Sequence, residues 1–213
     1  MSNRKIPESV MARLPVYLHY LKSLSAAEGD TISSAAIAKN LGLGEVQVRK
    51  DLALISGAGK PKIGYYNLEL ISHIESTLGS GKTTNAVIVG AGKLGRALLC
   101  YEGFSEFGVY MLAAFDVQTE NGLKISGDKK VLPVADLKKF CAENDVKIGV
   151  ITVPESQAQI VADELVEAGV SAIWNFAPAR LKIPDGIKVK NENMAASVAV
   201  LSANLGPQKQ TQN

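Results

Sequence analysis

The sequence predicts an α/β protein in two parts, a small helical domain followed by a parallel sheet with helices on both faces. Three observations carry the prediction. Up to about residue 80, apolar residues recur at intervals of three or four in short runs interrupted by glycine, which is the spacing of amphipathic helices. From Thr84 onward, β-rich apolar runs alternate with helical patterns, as in a parallel sheet whose strands are buried on both sides. Between the two lies SGKTT, a polar stretch with linker composition.

In the first part, Val10, Leu14, Tyr17, Leu18, Leu21 and Leu24 place one helix over Ser9 to Leu24, ended by AAEGD. Ser33 or Ser34 caps a second helix through AAIAKNL, which breaks at Gly42, and a third starts after Gly44. Two short helices around a glycine turn make a helix-turn-helix, and SGAGKPKIGYYNL after them has the turn chemistry of a β-hairpin. Together they predict a winged-helix domain over residues 1–80, completed by a helix that Asn67 caps and Gly79 ends.

In the second part, strands are expected near Val87, at Val109 to Phe115, at Val146 to Val153 and at Ser171 to Phe176. Helices follow from Lys93, at Asp136 to Glu143 and at Gln157 to Ala168, and a turn-rich stretch precedes Asp136. This is a Rossmann-type parallel-sheet domain over 81–190. After IKVK, residues 191–213 hold an apolar helix from about Met194 to Leu205 and a tail, PQKQTQN, of disordered composition.

Composition narrows the function classes. The chain has 213 residues, 46% of them hydrophobic, so it can bury a sizeable core. No apolar run approaches the roughly 18–20 residues of a membrane span, and MSNRKIPES carries no signal-peptide core. A cytoplasmic protein with no membrane partner is expected. The formal charge is +2, and that surplus falls within the first eighty residues. Cys100 and Cys141 lack ligand-like spacing, so buried reduced thiols are expected and no metal site.

The chemistry concentrates in VIVGAGKLGRALL. Gly90, Ala91, Gly92, Lys93, Leu94 and Gly95 form a GxGxxG turn between strand and helix, and Asp116 ends the next strand about 21 residues past Gly95. That is the pattern of a dinucleotide site. Gly90 allows the tight turn, Gly92 lets backbone approach a diphosphate, Gly95 lets helix meet strand, and the helix N-terminus supplies free N–H donors. Asp116 would accept bonds from a ribose diol and repel a 2′-phosphate, which favours NAD(H) over NADP(H). A bare adenine nucleotide is the weaker competitor. An enzyme of hydride transfer usually trades a proton through histidine, yet both histidines, His19 and His73, precede this domain. Only about 120 residues follow the glycine loop, too few for a separate substrate domain. A nucleotide used as a signal is therefore expected rather than an enzyme.

A signal needs an output, and the helix from Glu45 to Ile55 offers one. Val48, Leu52 and Ile55 share one face, while Val46, Arg49, Lys50 and Ala53 share the other, which suits a major groove. Arg49 is placed to reach guanine or phosphate and Lys50 phosphate, with Gln47 on the same helix and Lys60 and Lys62 in the hairpin reaching along the backbone of double-stranded DNA.

Taken with these features, IPESVMARLPVYLHYL, QVRKDL, IGYYN, VGAGKLGRAL, CYEGF, AFD, the TVP of Thr152, Val153 and Pro154, and NFAPARL make the chain resemble the Rex family of redox-sensing transcriptional repressors over nearly its whole length. The resemblance implies a homodimer of winged-helix and Rossmann domains with the C-terminal helix exchanged between subunits. It implies operator binding when NAD⁺ predominates and release when NADH rises. It places Tyr101 near the nicotinamide, whereas the residues alone read it equally well as a core aromatic. It also brings Thr152, Val153 and Pro154 into the nucleotide site. Four departures bear on the output. His19 stands where the family usually has arginine and Asn193 where it has aspartate, two positions of the ligand-dependent switch. Pro61 replaces a common basic residue, and LALIS replaces an aromatic, glycine-ended SYFG. A relative with altered DNA preference or lost redox control stays open on these grounds, as does, from another class, a small NAD-dependent oxidoreductase.

Overall fold

The computed structural model describes residues 6–24, 29–79, 81–118 and 123–205. The expectations for the N-terminal MSNRK and for PQKQTQN, and most of AAEGD, fall outside the described residues. The chain divides into two compact units: the residues up to Thr83 together with Glu106–Gly108, and Thr84–Ser105 together with the residues from Val109.

The first unit is a bundle of short helices. The single helix expected over Ser9 to Leu24 is instead two, α1 (Glu8–Met11) and α2 (Leu14–Ser23). Pro15 explains the break. It has no N–H to bond Met11 in a continuous helix, but at the start of α2 that donor would be unpaired anyway. Ser33 caps α3 (Ser34–Leu41), its side chain accepting from Ala36 N at 3.1 Å, and Gly42 closes that helix in the left-handed region at φ +65. The turn leads into α4 (Glu45–Ser56), and α5 (Asn67–Leu78) ends at Gly79. Asn67 does not cap α5. It lies inside the helix with its side chain buried, and Tyr66 takes the cap position. The core joins Leu14, Tyr17, Leu18 and Leu21 of α2 to Ile37 of α3, Val48 and Leu52 of α4, and Leu70 and Ile74 of α5.

The hairpin is shorter than its turn chemistry suggests. Lys60 and Gly64 form one isolated bridge, and β2 (Tyr65–Tyr66) pairs antiparallel with β1 (Thr31–Ile32) rather than with the chain just before it. Pro61 supplies no ladder donor and Lys62 turns the chain at φ +65, so pairing stops after one rung.

In the second unit the strands are β3 (Thr84–Val89), β4 (Val109–Asp116), β5 (Leu123–Ser126), β6 (Lys129–Pro133), β7 (Val146–Ile151), β8 (Ala172–Asn175) and β9 (Lys188–Asn191), in spatial order β5-β6-β4-β3-β7-β8-β9. All neighbours are parallel except β5, which pairs antiparallel with β6. Leaving β5 aside, this is the doubly wound dinucleotide order, with the reversal between β4 and β7 on either side of β3. The β5–β6 hairpin occupies part of the stretch expected to be only turns, and IKVK contributes the edge strand β9. The helices are α6 (Lys93–Leu99), α7 (Leu137–Glu143), α8 (Glu155–Glu167) and α9 (Met194–Ala203). Alternate residues of β3 feed two cores, Val87 and Val89 on the α7–α8 side, Ala86 and Ile88 on the α6 side.

Candidate nucleotide and nucleic-acid sites

The glycine loop sits where β3, β4 and β7 end level with one another, Val89 standing opposite Phe115 on one side and Ile151 on the other. Its three glycines do different work. Gly90 turns the chain at φ +102, and a Cβ there would lie 2.7 Å from the Thr152 carbonyl oxygen. A Cβ on Gly95 would run into the Gly90 carbonyl and stand 2.9 Å from Thr152 Oγ1. Both are needed by the fold. Gly92 is different: a Cβ there meets no atom within 4 Å, so close packing within the chain does not require glycine at this position.

Three side chains fasten the loop. Thr152 Oγ1 donates to Gly90 O at 2.7 Å, Arg96 Nε donates to Ala91 O at 2.7 Å, and Asp116 Oδ2 accepts from Ala91 N at 2.7 Å. Asp116 Oδ1 also accepts from Gln118 N at 3.0 Å. The carboxylate expected to meet a ribose thus first anchors the loop, and each of its oxygens keeps further acceptor capacity. Lys93 is exposed, Leu94 half-buried, and with Gly92 as N-cap residue the first N–H groups of α6 have no intrahelical acceptor. Val153 packs against the Gly90 turn, and Pro154 is the residue before α8. The arrangement can receive a diphosphate on backbone donors. Arg96 was missed by sequence reasoning, since a positive charge in a short helix gives no sign of folding back onto a carbonyl five residues earlier.

Tyr101 is 60% exposed, which removes the reading of it as a core aromatic. Its ring meets Phe104 edge-on at 4.9 Å, and Phe104 in turn meets Trp174 at 5.7 Å. It borders a hollow of about 530 Å³ with Cys100, Glu102, Tyr110 and Lys129, none of them a glycine-loop residue. Cys100 is exposed, contrary to expectation, because it stands just past the last turn of α6 rather than on its inner face. Cys141 is buried, and burial pushes its thiol up to about 11.

In the first unit, α4 buries Val48 and Leu52 completely and exposes Val46, Arg49, Lys50 and Ala53, as its pattern predicts. Lys60 and Lys62 are exposed, and Lys60 Nζ lies 4.6 Å from the centre of the Tyr66 ring. One feature of α4 escaped the sequence. Asp51, 4% exposed, accepts from Arg13 Nε at 2.7 Å, from Arg13 Nη2 at 2.8 Å and from Tyr17 Oη at 2.8 Å. With its amide oxygen turned inward, Gln47 accepts from the same guanidinium, 2.9 Å from Nε and 3.2 Å from Nη1. The carboxylate holds Arg13 firmly in its charged form, and burial, reinforced by the bond to Asp51, pushes the Tyr17 hydroxyl up to about 12.

Of the two positions that the resemblance assigns to a switch, His19 is exposed on α2, in a hollow shared with Leu18, Lys22, Ser23, Glu106 and Phe107 of its own unit. Asn193 caps α9, its Oδ1 accepting from Ala196 N at 2.8 Å.

Comparison with known proteins bears on both units. Residues 5–53 match the family model described as the putative DNA-binding protein N-terminus, and residues 81–179 match the CoA binding domain model. The chain is 44% identical to the redox-sensing transcriptional repressor Rex of Carboxydothermus hydrogenoformans, covering 96% of this chain and 99% of that one. It is 39% identical to the Rex of Desulforamulus reducens, over 96% and 98%. Among solved structures, RSP in complex with beta-NAD⁺ and operator DNA superposes with a TM-score of 0.86 at 36% identity, covering 95% of this chain and 94% of that one. RSP in complex with beta-NADH gives 0.82 at the same identity, over 94% of each chain. An end-to-end match in sequence and in fold extends over α4 and the glycine loop alike, and the chain belongs to the Rex family of redox-sensing transcriptional repressors.

Proposed function

We propose that this repressor holds an operator duplex while NAD⁺ occupies its second unit and lets go when NADH takes that place. The observation that carries the reading is Gly92. Its neighbours Gly90 and Gly95 are explained by the fold, while Gly92 leaves open space before the donors of α6. That space suits a diphosphate, the related structures hold NAD⁺ and NADH, and Asp116 is positioned at the end of the next strand to select a ribose without a 2′-phosphate. Tyr101, Thr152, Val153 and Pro154 complete the pocket in this reading. CoA shares the ADP diphosphate of NAD, so it is the competitor to include.

Arg49 and Lys50 read and hold the duplex from α4, and Lys60 and Lys62 grip its backbone beside it. The active form is a homodimer. Met194, Val198, Val200, Leu201 and Leu205 are each more than half exposed, and a helix that is apolar all round requires cover that a second copy supplies. No helix among the described residues is long and apolar enough to cross a membrane, and a DNA-binding role supports a cytoplasmic location.

The test is binding to a duplex selected by the protein from a randomised pool, measured at fixed total nucleotide while the NADH/NAD⁺ ratio is varied. Affinity should fall as the ratio rises. Affinity unchanged across the full range, with both nucleotides bound, overturns the sensing role. A chain ending before Met194 should sediment as a monomer, and a dimer of that truncated chain would remove α9 from the interface.

A further inference from the structure

We infer that Arg13 is a specificity-determining positioning residue: its guanidinium brackets two successive turns of α4, at Gln47 and Asp51, and so sets the rotation at which Arg49 and Lys50 are presented to DNA. The inference rests on α4 being the reading helix.

The geometry is unusual for a structural ion pair. Asp51 is almost wholly buried, yet it lies in the middle of the helix whose other charged side chains face solvent. Burying the Asp51 carboxylate is costly even with the half-buried Arg13 guanidinium beside it, and an apolar residue of similar volume often serves stability as well or better. Val48 and Leu52 hold α4 by close packing, which is not directional. A fork that donates Nε and Nη2 to the two carboxylate oxygens at 2.7 and 2.8 Å adds a constraint on the helix's rotation, because its bonds are planar and directional.

The bracket is also well placed. Gln47 and Asp51 are one turn apart on the same stripe, and at about 100° per residue Lys50 lies some 60° round from Gln47 while Arg49 lies on the far side of the exposed face. Any rotation of α4 therefore carries the two basic side chains along an arc across the groove, where base-edge bonds of about 3 Å length have little tolerance. Arg13 itself is held from below: it stands at the α1–α2 corner made by Pro15, and Tyr17, one turn on in α2 and fully buried, donates to the same carboxylate at 2.8 Å. Gln47 then acts in the bracket with its amide turned inward, and base reading falls to Arg49.

The test uses the full chain and two duplexes, one selected by the wild type from a randomised pool and one with the same composition scrambled. The double change Arg13→Met with Asp51→Leu removes both charges together and leaves the buried Tyr17 hydroxyl without its acceptor, a cost to stability that is read separately from discrimination. It should keep the helical circular-dichroism signal and the salt-dependent affinity for the scrambled duplex, and lose at least tenfold in discrimination between the two. Arg13→Lys keeps the charge but has no fork, and should lose discrimination several-fold; it decides the matter alone should the double variant not fold. Undiminished discrimination in a folded variant reduces the network to packing and overturns the inference. A wild type that never discriminates between selected and scrambled duplexes overturns the reading role of α4 itself, and the inference with it.

Discussion

The two candidate ligand-binding elements, α4 in the first unit and the 90–95 loop in the second, are held by different means. Helix α4 is fixed by side chains: Arg13, 38 residues away in sequence, donates into Asp51, and Tyr17 and Gln47 close the network. The loop adds backbone bonds to the side-chain bonds of Thr152, Arg96 and Asp116. Gly90 N donates to Phe115 O at 2.8 Å, Thr152 N donates to Val89 O at 2.9 Å, and Gly95 packs where no other residue fits. A side-chain bracket can be loosened one group at a time and it titrates. A backbone lock either holds or breaks, and its only adjustable position is the one that touches nothing.

That contrast is broken most sharply at the glycines. Gly92→Leu should lower NADH affinity by roughly 100-fold or more while leaving the melting temperature unchanged, because its side chain fills ligand space and not core. Gly95→Ala should do the reverse first, costing about 2–3 kcal/mol of stability by pressing a methyl onto the Gly90 carbonyl. Calorimetric titration and thermal unfolding of the two variants check this. Loss of stability in Gly92→Leu would mean that the space in front of α6 is part of the fold.

Next in size is Arg49→Ala, expected to cost about 1–3 kcal/mol on a selected duplex and little on a scrambled one. Lys60→Ala and Lys62→Ala should weaken both duplexes alike and lower the salt slope by about one each. Equal losses on both duplexes from Arg49→Ala would make that residue a phosphate contact. At the loop, NADH should bind more tightly than NADPH. Asp116→Asn should erode that preference by more than about tenfold, since hydrogen bonds to a charged group are typically worth about 1.5–3 kcal/mol. If both cofactors weaken equally, Asp116 acts only as the anchor of Ala91 seen here.

The side-chain bracket should also reveal itself in alkali. Tyr17 is pushed up to about 12 from an ordinary value near 10, first by burial and then by its bond to Asp51. The folded state holds the phenolic proton more tightly than the unfolded one, so the associated stability is fully present below about pH 10 and is lost as pH rises towards 12. Unfolding of the helical unit monitored by circular dichroism should steepen over that window in the wild type and lose the step in Tyr17→Phe.

Much of this was legible in the sequence because it depends on local pattern. Glycine spacing, the Ser33 cap and the alternating runs of the sheet each state their geometry within a few residues. Asp51 was not legible: between Lys50 and Leu52 it reads as one more polar residue, and only Arg13, brought to it across the fold, reveals it as a core group. The β5–β6 hairpin was obscured because Gly127 and Asp128 read as loop chemistry, and the split of α1 from α2 was visible in Pro15 but outweighed by an unbroken apolar stripe. The role of Asp116 was half legible, since its place at a strand end followed from spacing while its bond to Ala91 required the loop to close.

The smallest effect is expected at His19 and Asn193. The resemblance to the Rex family implies an arginine and an aspartate at these positions, a pair that carries charge at any physiological pH and can bias a two-state equilibrium if made in one state only. A neutral histidine with an asparagine offers at most an ordinary hydrogen bond, worth about 0.5–1.5 kcal/mol. Histidine is also the side chain whose charge changes nearest neutrality, and here it shares its hollow with Lys22 and Glu106, of which Lys22 is already paired with Glu75 at 2.6 Å. The ratio of duplex affinities with saturating NAD⁺ and saturating NADH should therefore be modest and should change between pH 6 and pH 8. The double change His19→Arg with Asn193→Asp should enlarge the ratio and flatten its pH dependence. It is a clean substitution, because aspartate caps a helix as well as asparagine does and so preserves the bond that Asn193 makes to Ala196 at the start of α9. A large, pH-independent ratio in the wild type, unaltered by the double change, would show that other contacts carry the response.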